Sequence, residues 1–210
     1  MLHDETVDKN TLDLLARLQR NPYLQETRLV GGTALALQIG HRKSIDLDLF
    51  GRIDVDPIEI NQELRAYGNI SVRSTSRRIH RFVVRGIQLD IVNYDYPWLD
   101  EPIVTEGLRL ATCRDIAAMK LAAITNRGTK KDFIDLDFLL ERFTLQEMLD
   151  FYVRKFPDGS CFNVLKSLVY FNDAEADPMP NMMKPFDWPA AKQRIAEAVS
   201  ENHNAGDAKN

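Results

Sequence analysis

Cysteine is scarce: the chain has two, Cys113 and Cys161, far apart and with no CxxC pair. That argues against a zinc cage or a disulfide framework and fits a reducing compartment. An excess of basic charge is also missing. Asp and Glu (31) outnumber Lys and Arg (27), giving a net charge of −4, so no global positive field advertises nucleic acid and any such contact has to come from a local patch. No apolar run approaches the roughly 20 residues of a membrane span. The start, MLHDETVDKN, lacks the apolar stretch of a signal peptide. A cytoplasmic protein with no membrane partner is expected. Internal repeats and low-complexity tracts are absent as well. What remains is an ordinary globular composition, 44% hydrophobic and 28% charged over 210 residues, enough for one domain, or one with a smaller appendage, and a core that needs no disulfide.

The periodicities predict a mixed front half and a helical back half. NTLDLLARLQR places Leu12, Leu15 and Leu18 on one helical face behind an Asn10/Thr11 cap. TRLV reads as a short strand running into Gly31-Gly32. TALALQI is a helix ending at Gly40. IDLDLF alternates, with Ile45, Leu47 and Leu49 on one face and Asp46 and Asp48 on the other. DPIEINQELRAYG is a helix capped by Asp56 with Pro57 in its first position. NISVRSTS, IHRFVVR and IQLDIVNY are strands, the last two joined at Arg85-Gly86. After Pro97 the pattern turns helical, with capping-box signatures at Thr112 and at Thr144/Glu147. The loop NDAEADPMPNMMKP and a last helix from Asp187-Trp188 complete the chain. The expected division is a core over 1–110, a helical region over 111–200 and a disordered tail over 201–210.

Asp46 and Asp48 on one strand face place two carboxylates within reach of one cation, and hard oxygen ligands of this kind suit Mg²⁺. Asp90 holds the same minority position in IQLDIV; if the two strands are neighbours, three carboxylates converge. Such a cluster repels itself without a cation. With one it can position a triphosphate for in-line displacement. The glycines then fit: Gly31-Gly32 lets backbone N–H groups approach a phosphate, and Thr33 begins a helix whose N-terminus favours an anion. GGT, then DxD, then a strand with a single central Asp, is a more specific combination than any of its parts.

GGTALALQ…HRKSIDLDLF together with the LDI of IQLDIV resembles the DNA polymerase β-type nucleotidyltransferases. It is similar in particular to the AbiEii/AbiGii branch, the nucleotidyltransferase toxins of bacterial abortive-infection and toxin–antitoxin systems. RDIAAMKLAAITNRGTKKDFIDLDFLL and YFNDAEADPMPNMMKPFDW carry the resemblance on, to cover roughly residues 10–200. It implies an α+β fold, a mixed sheet flanked by helices with a C-terminal helical half. It also implies transfer of a nucleoside monophosphate from an NTP to an acceptor hydroxyl on RNA such as tRNA, or on protein, with a cognate antitoxin as partner. Residue by residue, Gly32 and Thr33 take the phosphates, Asp46 and Asp48 bind Mg²⁺, and Asp90 completes the metal site or acts as base. Lys120 matches the lysine expected on the triphosphate, and Asp132 and Asp135 the acidic helix near the site. Gly31, Arg42 and Ser44 complete the nucleotide-binding set. The superfamily's usual Gly-Ser is Gly-Gly-Thr here.

Plainer readings stand beside these. Asp46 and Asp48 can be a solvated strand face, although aspartate is a poor strand former. An EF-hand fails because Phe50 and Pro57 fall where oxygen ligands are needed. Lys120, on an apolar stripe, has to snorkel or pair with an anion. Asp132 and Asp135 can equally form a charged outer face balanced by Lys130 and Lys131. Arg73, Arg77, Arg78, Arg81 and Arg85 can take phosphate or protect a sheet edge. His41 and His80 lack metal-ligand spacing, and Met182, Met183, Phe186 and Trp188 read as packing residues. A non-catalytic nucleotide- or partner-binding module and a small-molecule, antibiotic-type nucleotidyltransferase are the competing functions.

Overall fold

The computed structural model describes residues 1–53 and 56–207. The chain divides into two compact units. One comprises Met1–Tyr96 and Glu101–Thr112, the other Pro97–Asp100 and the chain from Cys113 onward.

In the first unit, helix α1 (Lys9–Leu18) starts earlier than expected, because the carboxylate of Asp8 caps it by accepting the Asn10 N–H. Its buried stripe is Leu14, Leu15 and Leu18, with Leu12 only partly covered. Strand β1 (Thr27–Leu29) leads into α2 (Gly31–Ile39), which ends at a left-handed Gly40, φ 67°. Strand β2 spans Leu47–Gly51. Ile45 was expected on its buried face but lies before the strand and is 66% exposed. The chain there is held by a single bridge, Val7 to Ser44, and not yet by a strand ladder. Helix α3 (Pro57–Leu64) has the expected Asp56 cap, which accepts the Ile58 N–H.

Strands β3 (Ile70–Thr75), β4 (Ile79–Val84) and β5 (Ile87–Asn93) follow as read from the alternation. The β4–β5 turn places Arg85 and Gly86 both at positive φ, 54° and 86°, the conformation that two-residue hairpin turns require. A second hairpin, β6 (Ile103–Thr105) and β7 (Leu108–Leu110), was not expected; Glu106-Gly107 turns it at φ 54° and 78°. The result is one seven-stranded sheet in the order β3-β4-β5-β2-β1-β7-β6. It is mixed: β2–β5 and β1–β7 are parallel and the other pairs antiparallel. Leu29, Leu47, Leu49, Phe82, Val84, Leu89 and Ile91 form its buried face, and burial of this apolar area is the main stabilising term.

The second unit holds α4 (Cys113–Asn126), α5 (Lys130–Leu140), α6 (Leu145–Lys155), α7 (Cys161–Leu168), α8 (Asn172–Glu175) and α9 (Trp188–Asp207). Thr144 and Glu147 make the expected capping box on α6. The one-turn helix α8 falls inside the stretch read as a loop. Residues 201–207, expected as tail, continue α9; residues 208–210 lie outside the described residues. The ring of Trp188 packs edge-on against Phe133 and Phe171, with centroids 6.1 and 6.0 Å apart, and Phe186 stacks on Phe138 at 5.9 Å. Lys155 and Asp115, both fully buried, pair at 2.7 Å. The Lys155 ammonium also donates to Pro97 O at 2.9 Å and lies over the Trp98 ring, while Asp115 accepts the Leu99 N–H. These contacts tie Pro97–Asp100 into the helical unit. No described helix is long and apolar enough to cross a membrane.

Candidate active site

The glycine turn and the second aspartate of DxD are built against each other. Just past the end of β1, Val30 donates its N–H to Asp48 O at 2.9 Å. Gly31 then swings the chain into α2 with φ 69°. A Cβ on Gly31 would lie 2.5 Å from Asp48 Oδ2 and 3.3 Å from its Cγ. Both the backbone conformation and the closeness of the carboxylate therefore require glycine here. Val30 at the N-cap offers no side-chain bond to α2, and the positive end of the helix dipole favours negative charge there, the Asp48 carboxylate included. Gly31→Ala is expected to cost about 1–2 kcal/mol in backbone strain. It is also expected to displace the Asp48 carboxylate. Urea unfolding and a crystal structure of the variant check the two effects separately.

Thr33 and Ser44, expected on the nucleotide, use their hydroxyls inside the protein. Thr33 is buried; its Oγ1 lies 2.8 Å from Ser44 Oγ and donates to the carbonyl oxygen of Asp46. The pair ties the first turn of α2 to the segment that carries Asp46, and so fixes the aspartate relative to the helix end. Arg42 is buried as well, donating from Nη1 to Lys43 O at 3.0 Å, so it does not belong to an exposed basic patch. His41 is fully buried. His80 is buried and hydrogen-bonded to Thr75 at 2.9 Å, and burial lowers its pKa. Both histidines are structural. Both cysteines are free thiols, and burial raises the pKa of each, which leaves neither an activated nucleophile.

Strand register brings the carboxylates together. Asp48 in β2 is the direct partner of Asp90 in β5, so the two stand on one face of neighbouring strands roughly 4.8 Å apart. Arg81 in β4 is in turn the partner of Asp90. Its Nε donates to Asp90 Oδ2 at 3.2 Å. The residues form a row across β2, β5 and β4: carboxylate, carboxylate, guanidinium. Among the described residues no three acidic, histidine or cysteine side chains already form a metal cage. The donor set nevertheless fits Mg²⁺, which takes one or two protein carboxylates and fills its shell with water and phosphate oxygens. Sequence reasoning named Arg81 only as one of several arginines; its position equidistant with Asp90 from the Arg85-Gly86 turn is the signal that could have paired the two.

Lys120, Asp132 and Asp135 lie in the helical unit and meet there. The Lys120 ammonium is 2.9 Å from Asp132 and 2.6 Å from Asp135, and both carboxylates are fully buried. The reading of Asp132 and Asp135 as an outer charged face is therefore wrong, and the expected anionic partner of Lys120 is present. Burial opposes the charge on Asp132. Lys120, Arg127 and the Thr129 hydroxyl outweigh it and hold this carboxyl well below the usual range. Lys130 is buried too and donates to the carbonyl oxygens of Glu175 and Asp177.

The mixed sheet with its flanking helices is a fold shared with nucleotidyltransferases. Comparison with known proteins makes this particular: residues 13–205 match the model of the nucleotidyl transferase AbiEii toxin family of type IV toxin–antitoxin systems, and the chain belongs to that family. An uncharacterised protein of Aquifex aeolicus (strain VF5) is 32% identical over 179 residues, 82% of this chain and 86% of that protein. Two solved structures share the fold. One is a protein of H. pylori proposed to be a nucleotidyltransferase, with TM-score 0.59 and 20% identity over 97% of this chain and 99% of that one. The other is MenT4, a nucleotidyltransferase toxin of Mycobacterium tuberculosis H37Rv, with TM-score 0.58 and 17% identity over 91% and 84%.

Proposed function

We propose that this nucleotidyltransferase toxin moves a nucleoside monophosphate from an NTP to a hydroxyl of RNA, in the cytoplasm, under the control of a cognate antitoxin. The observation that carries the chemistry is the register pairing of Asp48 with Asp90 beside the Gly31 turn. Asp46, Asp48 and Asp90 would hold Mg²⁺, which when bound neutralises charge on the phosphates. The N–H groups of Gly31 and Gly32 hold the phosphate oxygens, while Thr33 and Ser44 keep Asp46 in place. The acceptor oxygen bonds to the α-phosphorus, the bond to pyrophosphate breaks, and the hydroxyl proton passes to the Asp90 carboxylate. The sequence resemblance also assigns Lys120 to the triphosphate; within the helical unit its ammonium is held by Asp132 and Asp135.

RNA is favoured over protein by charge placement. Residues 70–89 carry Arg73, Arg77, Arg78, Arg81 and Arg85 and no acidic residue in a chain of net charge −4. All five arginines are exposed, and four of them lie on or beside the β3–β4 hairpin at one edge of the sheet, with Arg78 and Arg81 paired to Asp95 and Asp90. Such a patch serves backbone phosphates. Incubation with each labelled NTP, Mg²⁺ and either total RNA or total protein tests the reading. Label is expected in RNA, with the Arg73→Glu/Arg77→Glu variant losing about tenfold in transfer and showing a shallower salt dependence. Label in protein alone would overturn the choice of acceptor.

A further inference from the structure

The Asp48–Asp90–Arg81 row has a property that the transfer reaction alone does not require. A pair of carboxylates on adjacent strands is electrostatically unfavourable without a cation. The fold supplies a cation of its own: Arg81, placed by the β4–β5 register directly opposite Asp90 and bonded to its Oδ2 through Nε at 3.2 Å. This pair differs from its neighbour on the same hairpin. Arg78 pairs with Asp95 at 2.8 Å where both side chains are largely exposed, whereas the Asp90 side chain is 33% exposed and next to Asp48.

We propose that Arg81 is an exchangeable counter-ion that occupies Asp90 until nucleotide arrives, so that the site takes up its divalent cation together with the triphosphate and not before. The proposal rests on the assignment of Asp90 to the metal set. A guanidinium bonded to Asp90 Oδ2 competes with a divalent cation for the same oxygen and repels it. A triphosphate offers that guanidinium a more highly charged partner with several acceptor oxygens, to which arginine binds in fork geometry. Transfer of Arg81 from Asp90 to phosphate exposes the carboxylate to the metal that accompanies the nucleotide. Each ligand thereby favours the other, and the linkage is reciprocal. The Arg81 side chain is 55% exposed, so it has room to swing and its replacement leaves the core intact. Arg81 thus contacts Asp90 before the nucleotide binds and the phosphates afterwards.

The test measures cation binding without nucleotide, by electron paramagnetic resonance of Mn²⁺. Arg81→Gln is expected to bind Mn²⁺ about tenfold more tightly than the unmodified protein, the equivalent of about 1.4 kcal/mol. Arg81→Lys is expected to keep most of the competition, and Asp90→Asn to make the Arg81→Gln effect vanish. In metal-free buffer, Arg81→Gln is expected to bind NTP more weakly. Equal or weaker Mn²⁺ binding by Arg81→Gln, or an unchanged effect in the Asp90→Asn background, overturns the proposal. Failure of the underlying metal assignment shows itself separately: with NTP present, Asp48→Asn would then bind Mn²⁺ as the unmodified protein does.

Discussion

Asp48→Asn is expected to lower nucleotidyl transfer about a thousandfold, with the fold intact, because a metal–carboxylate contact in a phosphoryl-transfer site stabilises the transition state by several kcal/mol. Asp48 stands where three elements meet. Its carbonyl oxygen receives the Val30 N–H at the end of β1, its carboxylate fills the space that a side chain on Gly31 would take, and its register partner is Asp90. Asparagine preserves the backbone bond and the shape while removing the charge, so the variant separates chemistry from packing. Circular dichroism is expected to show an unchanged spectrum, and a labelled-NTP assay the loss. A variant within threefold of the unmodified rate would remove Asp48 from the mechanism.

Lys120→Ala is expected to act on stability first, costing about 3–5 kcal/mol, since deleting one partner of a buried ion cluster strands charge in a low-dielectric interior. Asp132 and Asp135 are fully buried and both contact the ammonium, at 2.9 and 2.6 Å. Arg127 and Thr129 support Asp132 through its carboxylate oxygens. Urea unfolding of the helical unit measures the loss. A change below about 1 kcal/mol would mean that the cluster relaxes to admit water. A fall in activity alone does not separate a contact of Lys120 with phosphate from lost stability. The rate has to be measured where the variant is fully folded.

The strands that carry the site were legible because alternation is a local property: IDLDLF and IQLDIVNY each show their minority carboxylates without reference to anything else. The neighbour relation of β2 and β5 was not local. It depends on a parallel pairing across some forty residues, and only the register shows that Asp48 meets Asp90 and that Arg81 comes next. Thr33 and Ser44 were read as nucleotide-binding, and the sequence could not show that their hydroxyls turn inward to each other and to the Asp46 carbonyl. The β6–β7 hairpin was missed because three-residue strands carry too little periodicity, although Glu106-Gly107 marked the turn. Lys120, on its apolar stripe, was read as snorkelling or paired with an anion, and it is paired. Lys155 and Asp115 carried no such signal, because their pairing joins residues forty positions apart.

Anomalous diffraction from crystals soaked with Mn²⁺ and a non-hydrolysable NTP tests the central claim most directly. An anomalous peak is expected within ligand distance of Asp48, with triphosphate density running to the N-terminus of α2 at Gly31 and Gly32. Manganese and triphosphate bound together away from Asp46, Asp48 and Asp90 would contradict it.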